Sequence, residues 1–177
     1  MTSSRVLTTV LLAGSLLAPT FAGPATAHAG QSAAARHLWA KKASPITVAT
    51  TVARRYWGAV PCDGQVKIRV RRSVPGALDP TSDAWGTFDS SLGANNLAAP
   101  ASTYSNCTIS FARWRWPTRA SMRDDWDMFC TTVTHEVGHL LGHPHDSTPG
   151  SIMAPTFTDY SSVPPICKTT RPARSQR

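Results

Sequence analysis

The chain has 177 residues, with 18 Lys and Arg against 10 Asp and Glu, a formal net charge of +8 and four cysteines. That length suits one modest domain, and no apolar stretch reaches the ~20 residues a membrane-crossing helix needs, so the mature protein is expected to be soluble. Glu136 is its single glutamate, so any chemistry that requires a glutamate must use that residue.

Residues 1–27 read as an export signal. Arg5 supplies a charge, residues 6–17 an apolar stretch and Ala25-Thr26-Ala27 a small-residue cleavage site, so the protein is expected to be secreted. Residues 28–44, rich in Ala, Gly and Ser, are expected to form a flexible leader or short propeptide. The folded unit is expected over residues 45–167, followed by a basic, disordered tail at 168–177. Within that unit the spacing predicts a helix over 46–57, capped by Ser44, with Pro45 in its first turn and Gly58 closing it. Residues 65–73 predict a strand in which Lys67, Arg69 and Arg71 alternate with Val66, Ile68 and Val70, and 84–88 a short second strand. Residues 90–105 read as loop, and 107–116 as a third strand stopped by Pro117. Thr118 or Ser121 then starts a helix whose early Asp124, Asp125 and Asp127 suit a positive helix end, and which runs to Leu141. The expected fold is α+β: a small mixed sheet, a backing helix, and a second helix beneath a cleft.

In an oxidising compartment, Cys62, Cys107, Cys130 and Cys167 are expected to form two disulfides. Three pairings exist. Cys62–Cys107 with Cys130–Cys167 is preferred because it would staple the sheet and tie the end of the domain to the second helix. No cysteine pair has zinc-ribbon spacing. The charged side of the first strand reads as a solvated face, with attraction to an anionic cell-surface polymer as the alternative. Arg113-Trp114-Arg115-Trp116 invites a nucleic-acid reading, against which stand export and the lack of any nucleic-acid-binding motif. The protein is therefore expected to act as a monomer on a protein or peptide substrate, with no nucleic-acid and no membrane partner.

The chemistry concentrates in His135-Glu136-Val137-Gly138-His139-Leu140-Leu141-Gly142-His143-Pro144-His145. Helical positions four apart share a face, so His135 and His139 can hold one metal ion while Glu136 works on a bound water. Gly142 can take the left-handed conformation that turns the chain back and lets His145 supply a third ligand. His143 and Asp146 compete for that position, but the register favours His145, leaving a loop histidine near the cleft and a turn carboxylate. A thermolysin-like arrangement is excluded because no glutamate follows Glu136.

With Gly142, His145 and the later Met153 in Ser151-Ile152-Met153-Ala154-Pro155, the segment matches His-Glu-x-x-His-x-x-Gly-x-x-His with a downstream Met-turn. At these residues the chain resembles the metzincin metallopeptidases. The short step from His145 to Met153 is similar to their matrixin branch, and Pro155-Thr156-Phe157 to the segment lining the matrixin S1′ pocket, with Phe157 in place of the usual tyrosine. Asp146 and the Ile-Met-Ala-Pro turn resemble the adamalysin branch, whereas snapalysin-like enzymes carry Asp where His145 stands. The resemblance implies a metzincin-like fold with Met153 as the floor under the ligands, and one catalytic Zn2+ on His135, His139 and His145. It also implies a secreted endopeptidase with Glu136 as general base and an apolar pocket flanked by Pro155 and Phe157. His143 or Tyr160 could assist at the oxyanion. Too little sequence separates Pro117 from His135 for the matrixin calcium loop, so structural calcium is not expected. The rival reading is an exported zinc-binding or cell-wall-binding module without catalysis.

Overall fold

The computed structural model describes residues 38–39, 43–72, 81–157 and 162–172. The signal expected at 1–27 lies outside the described residues, as do positions 28–37 of the leader, 173–177 of the tail, and Tyr160.

Helix α1, Pro45–Trp57, begins where the sequence places it: the Ser44 side chain accepts from the Thr47 N–H at 3.1 Å and Pro45 occupies the first turn. Gly58 ends it at φ 64°, a left-handed cap. Val48, Ala49, Val52 and Ala53 recur at helical spacing and are all buried.

Strands β1 (Lys67–Arg71), β2 (Ala84–Asp89) and β3 (Ser105–Ala112) form a mixed sheet in the order β1-β3-β2, with β1 parallel and β2 antiparallel to β3. The row Ile68–Ile109–Gly86 faces the helices, while Lys67 and Arg69 face the other way and are exposed. The third strand is shorter than expected. Residues 113–116 do not extend it but turn, with the Arg115 and Trp116 N–H groups both donating to the Ala112 carbonyl. That turn ends the alternation of the buried Cys107, Ile109 and Phe111.

The single helix expected from Thr118 or Ser121 to Leu141 is two helices. Thr118 caps α2, Arg119–Asp124, in a reciprocal bond with Ser121, and α3, Trp126–Leu140, starts afresh after Asp125 at φ −102°, ψ 38°. Asp125 is held by the Trp116 indole N–H at 3.2 Å and by Arg115 at 2.8 Å, which breaks the axis and sends Trp126 into the core. From there α3 is buried on almost every side, between the sheet and α1. The disulfides join Cys62 to Cys107 and Cys130 to Cys167, the preferred pairing.

Packed residues lie just outside both ends of the unit expected over 45–167. The tail expected from Lys168 begins inside a further helix, α4, Pro165–Thr169. Thr170 is buried, and Arg171 donates through Nε to Asp127 at 3.1 Å. Composition hid this because the Cys130–Cys167 bridge and the Trp126 indole bond to the Cys167 carbonyl, at 2.9 Å, are tertiary contacts. At the other end Leu38 and Trp39, within the expected leader, pack on the core. Trp39 meets Trp126 edge-on at 5.0 Å, lies 5.5 Å from the Arg123 guanidinium, and donates its indole N–H to the Thr170 carbonyl at 2.7 Å. Trp39→Ala is therefore expected to destabilise the domain by about 2–4 kcal/mol, somewhat below the cost at a fully buried tryptophan. Chemical denaturation would check this; an unchanged midpoint would mean that the contact is dispensable.

Candidate metal centre

Helix α3 carries His135, Glu136 and His139 on its last turns, and the chain returns past Gly142, at φ 89°, to bring in His145. One nitrogen from each of His135, His139 and His145 lies within 4.8 Å of the others, a group able to hold a metal ion. The Nε2 atoms of His135 and His139 are 3.0 Å apart, and those of His139 and His145 3.2 Å. A tetrahedral zinc with Zn–N of ~2.05 Å would separate its nitrogens by about 3.3 Å, so the trio fits that ion.

The tautomers fit as well. The Nδ1 atoms of His135 and His139 each lie 2.8 Å from a backbone carbonyl, that of Ile152 and that of His143. Carbonyls only accept, so both Nδ1 atoms carry the proton and both Nε2 atoms present lone pairs. Two lone pairs at 3.0 Å repel unless a cation lies between them. Burial, foremost, lowers the His135 pKa to about 4 and that of His139 below its usual value, keeping both rings neutral at pH 7 as ligation requires.

Glu136 is 5 % exposed, and its Oε2 has no hydrogen-bond partner. Burial pushes its carboxyl up to about 8, opposed by a hydrogen bond from the Gly86 N–H. A Cβ at Gly86 would come within 3.3 Å of Oε2, so the missing side chain on β2 is what makes room for the carboxylate. Once deprotonated, as a cation held by the three converging imidazoles would favour, this orphaned oxygen could take a proton from a molecule bound there.

Met153 is buried, with its sulfur against the α3 backbone at Gly138. A Cβ at Gly138 would lie 2.5 Å from Met153 Sδ and 2.7 Å from Trp57 Cζ2. Met153 could yield; Trp57 cannot, because its indole donates to the Thr134 carbonyl at 2.8 Å and its ring stacks on His143 at 4.4 Å. A mid-helix Gly→Ala change normally stabilises by about 0.5–1 kcal/mol. Gly138→Ala is expected to do the reverse and cost about 1–3 kcal/mol by overpacking, with weaker metal binding. Thermal unfolding gives the sign, and a stabilised variant would refute the contact.

His143 stands apart from the cluster, stacked on Trp57, and acts through its carbonyl on His139. Asp146 is a turn carboxylate: it accepts from the Thr148 hydroxyl at 2.7 Å and the Thr148 N–H at 2.9 Å, which hold its pKa below the usual range. Phe157 meets the His135 ring edge-on at 5.4 Å, with Pro155 exposed nearby. Trp57, Gly86 and the Ile152 carbonyl were not foreseen. A glycine inside a strand was the one available signal, since it marks close approach.

The matrixin family model matches residues 63–165, more than half of the chain and inclusive of every residue of this centre except Trp57. No curated protein and no solved structure matches the chain.

Proposed function

The chain belongs to the matrixin family and is a zinc metallopeptidase, and on that premise we propose that it is an exported endopeptidase, with His135, His139 and His145 holding the zinc and Glu136 as general base. The observation that carries the reading is the buried, unpartnered Oε2 of Glu136, the helix neighbour of His135, together with the three converging imidazole nitrogens of His135, His139 and His145. Zinc, when bound, polarises the scissile carbonyl and lowers the pKa of a water toward ~7. Glu136 then removes the water proton as the water attacks, and delivers it to the leaving amine. Its place between α3 and the Gly86 backbone keeps bulk water from competing for that proton. The Ile152 and His143 carbonyls hold the first two imidazoles in the tautomer ligation needs.

Phe157 beside His135, with Pro155, supports an apolar S1′ pocket next to the reacting bond. Burying a Leu- or Phe-sized side chain there would contribute roughly 1.5–3 kcal/mol, enough to set preference. Export is supported by the amino-terminal pattern and by two disulfides; among the described residues no helix is long and apolar enough to cross a membrane. The folded peptidase unit is proposed to span at least 38–171, wider than 45–167, because Trp39 and Arg171 are part of its packing.

A peptide-library digest tests the proposal. The expected result is cleavage on the amino side of hydrophobic residues, abolished by a chelator and restored by zinc. A fully zinc-loaded protein that cuts nothing would favour the non-catalytic binding module.

A further inference from the structure

Two basic motifs that peptide hydrolysis leaves unused meet at one end of the sheet. β1 and β3 are parallel, so their carboxyl ends lie side by side, and the Arg113 N–H donates to the Arg71 carbonyl at 2.7 Å. The segment 113–116 divides there. Arg115 turns toward Asp83 and Asp125, at 3.6 and 2.8 Å, and Trp116 is fully buried. Arg113 and Trp114 turn outward, and Trp114 is 57 % exposed. Lys67, Arg69 and Arg72 are exposed along β1 and just beyond it. None of Lys67, Arg69, Arg72 and Arg113 has an ion-pair partner among the described residues, in which Asp83 and Asp125 are both engaged by Arg115.

We propose that Lys67, Arg69, Arg72 and Arg113, with Trp114, form a binding site for an anionic polysaccharide, separate from the peptidase cleft. At ~3.3 Å per strand residue, Lys67 and Arg69 stand about 7 Å apart and the cations extend over about 17 Å, which suits a linear polyanion. The open indole face of Trp114 offers a flat apolar surface on which the C–H face of a pyranose ring can rest, and this favours a glycan over a featureless polyanion. Lys67 and Arg69 of the site lie on the opposite side of the sheet from Glu136. Lys67 and Arg69 point away from the row Ile68–Ile109–Gly86, whose Gly86 adjoins Glu136, and β1 is the edge strand remote from β2. A polymer can therefore be held while a peptide is cut, concentrating the enzyme on polymer-rich surfaces.

Binding of the full chain to immobilised heparin, with neutral dextran and a single-stranded oligodeoxythymidylate for comparison, tests this. With four charges neutralised, affinity for heparin should fall about 50-fold between 50 and 200 mM salt, and dextran should not bind. The triple variant Arg69→Glu, Arg72→Glu, Arg113→Glu should lose at least about 30-fold, whereas the charge-matched Arg55→Glu, Arg119→Glu, Lys168→Glu should stay within about threefold. Trp114→Ala should lose about tenfold, the scale of one stacked ring. Chelation should leave heparin binding intact, which separates this site from the zinc centre, and both triple variants should retain peptide cleavage. Equal losses in the two triple variants would reduce the effect to net charge and overturn the proposal. So would tighter, Trp114-dependent binding of the oligonucleotide, or peptide cleavage lost in step with heparin binding.

Discussion

Glu136→Gln is expected to lower kcat/KM for peptide cleavage by about 10²–10⁴-fold, the usual contribution of a general base, while zinc content stays at one ion per chain. Glutamine keeps the length and shape of the side chain and can still accept from the Gly86 N–H, so packing between α3 and β2 should persist. It cannot accept the water proton. Replacing the buried carboxyl, whose pKa burial pushes up to about 8 against the Gly86 hydrogen bond, by a neutral amide also removes an ionisable group from an apolar site. Stability should therefore hold or rise as activity falls. Cleavage of a fluorogenic peptide, read alongside metal content and thermal unfolding, decides the matter: activity near wild type would remove Glu136 from the role. Loss of zinc together with activity would instead make the residue a structural support.

What was legible in the sequence was what local chemistry dictates. The i, i+4 spacing of His135 and His139, the glycine turn at Gly142 and the return to His145 depend on one helix and one left-handed residue, and the three rings meet as that register implies. Ser44, Pro45 and Gly58 likewise bound α1 through contacts within a few residues. What was not legible depends on distant partners. The break at Asp125 follows from Arg115 and Trp116, and the order of residues 168–171 from Cys130, Trp126 and Asp127. Trp57 reaches the centre from another helix: it lies against Gly138, and its stack on His143 helps hold the carbonyl that orients His139. Such couplings have no signature at fixed sequence spacing.

His145→Ala is expected to strip the zinc, whereas His143→Ala and Asp146→Ala should retain it, and the three side chains differ in ways that make this decisive. His145 offers an Nε2 3.2 Å from that of His139, and no other His, Cys, Asp or Glu among the described residues completes a three-residue group with His135 and His139. Removing it leaves two ligands on one helix face, fewer than the three protein ligands of a catalytic zinc site. Losing an oriented ligand should weaken metal binding far more than the 10–100-fold typical of a supporting partner. His143 contributes its backbone carbonyl, which alanine keeps, so the loss of its stack on Trp57 should cost at most that smaller factor. Asp146 fastens its turn through Thr148, and its own N–H, donated to the Met153 carbonyl at 2.9 Å, survives the substitution. Competition with a chelator of known affinity, followed by metal analysis, ranks the variants. If zinc stays in His145→Ala and leaves Asp146→Ala, the third ligand is the carboxylate; if His143→Ala loses zinc as fully as His145→Ala, the Trp57 stack rather than the carbonyl carries the orientation of His139.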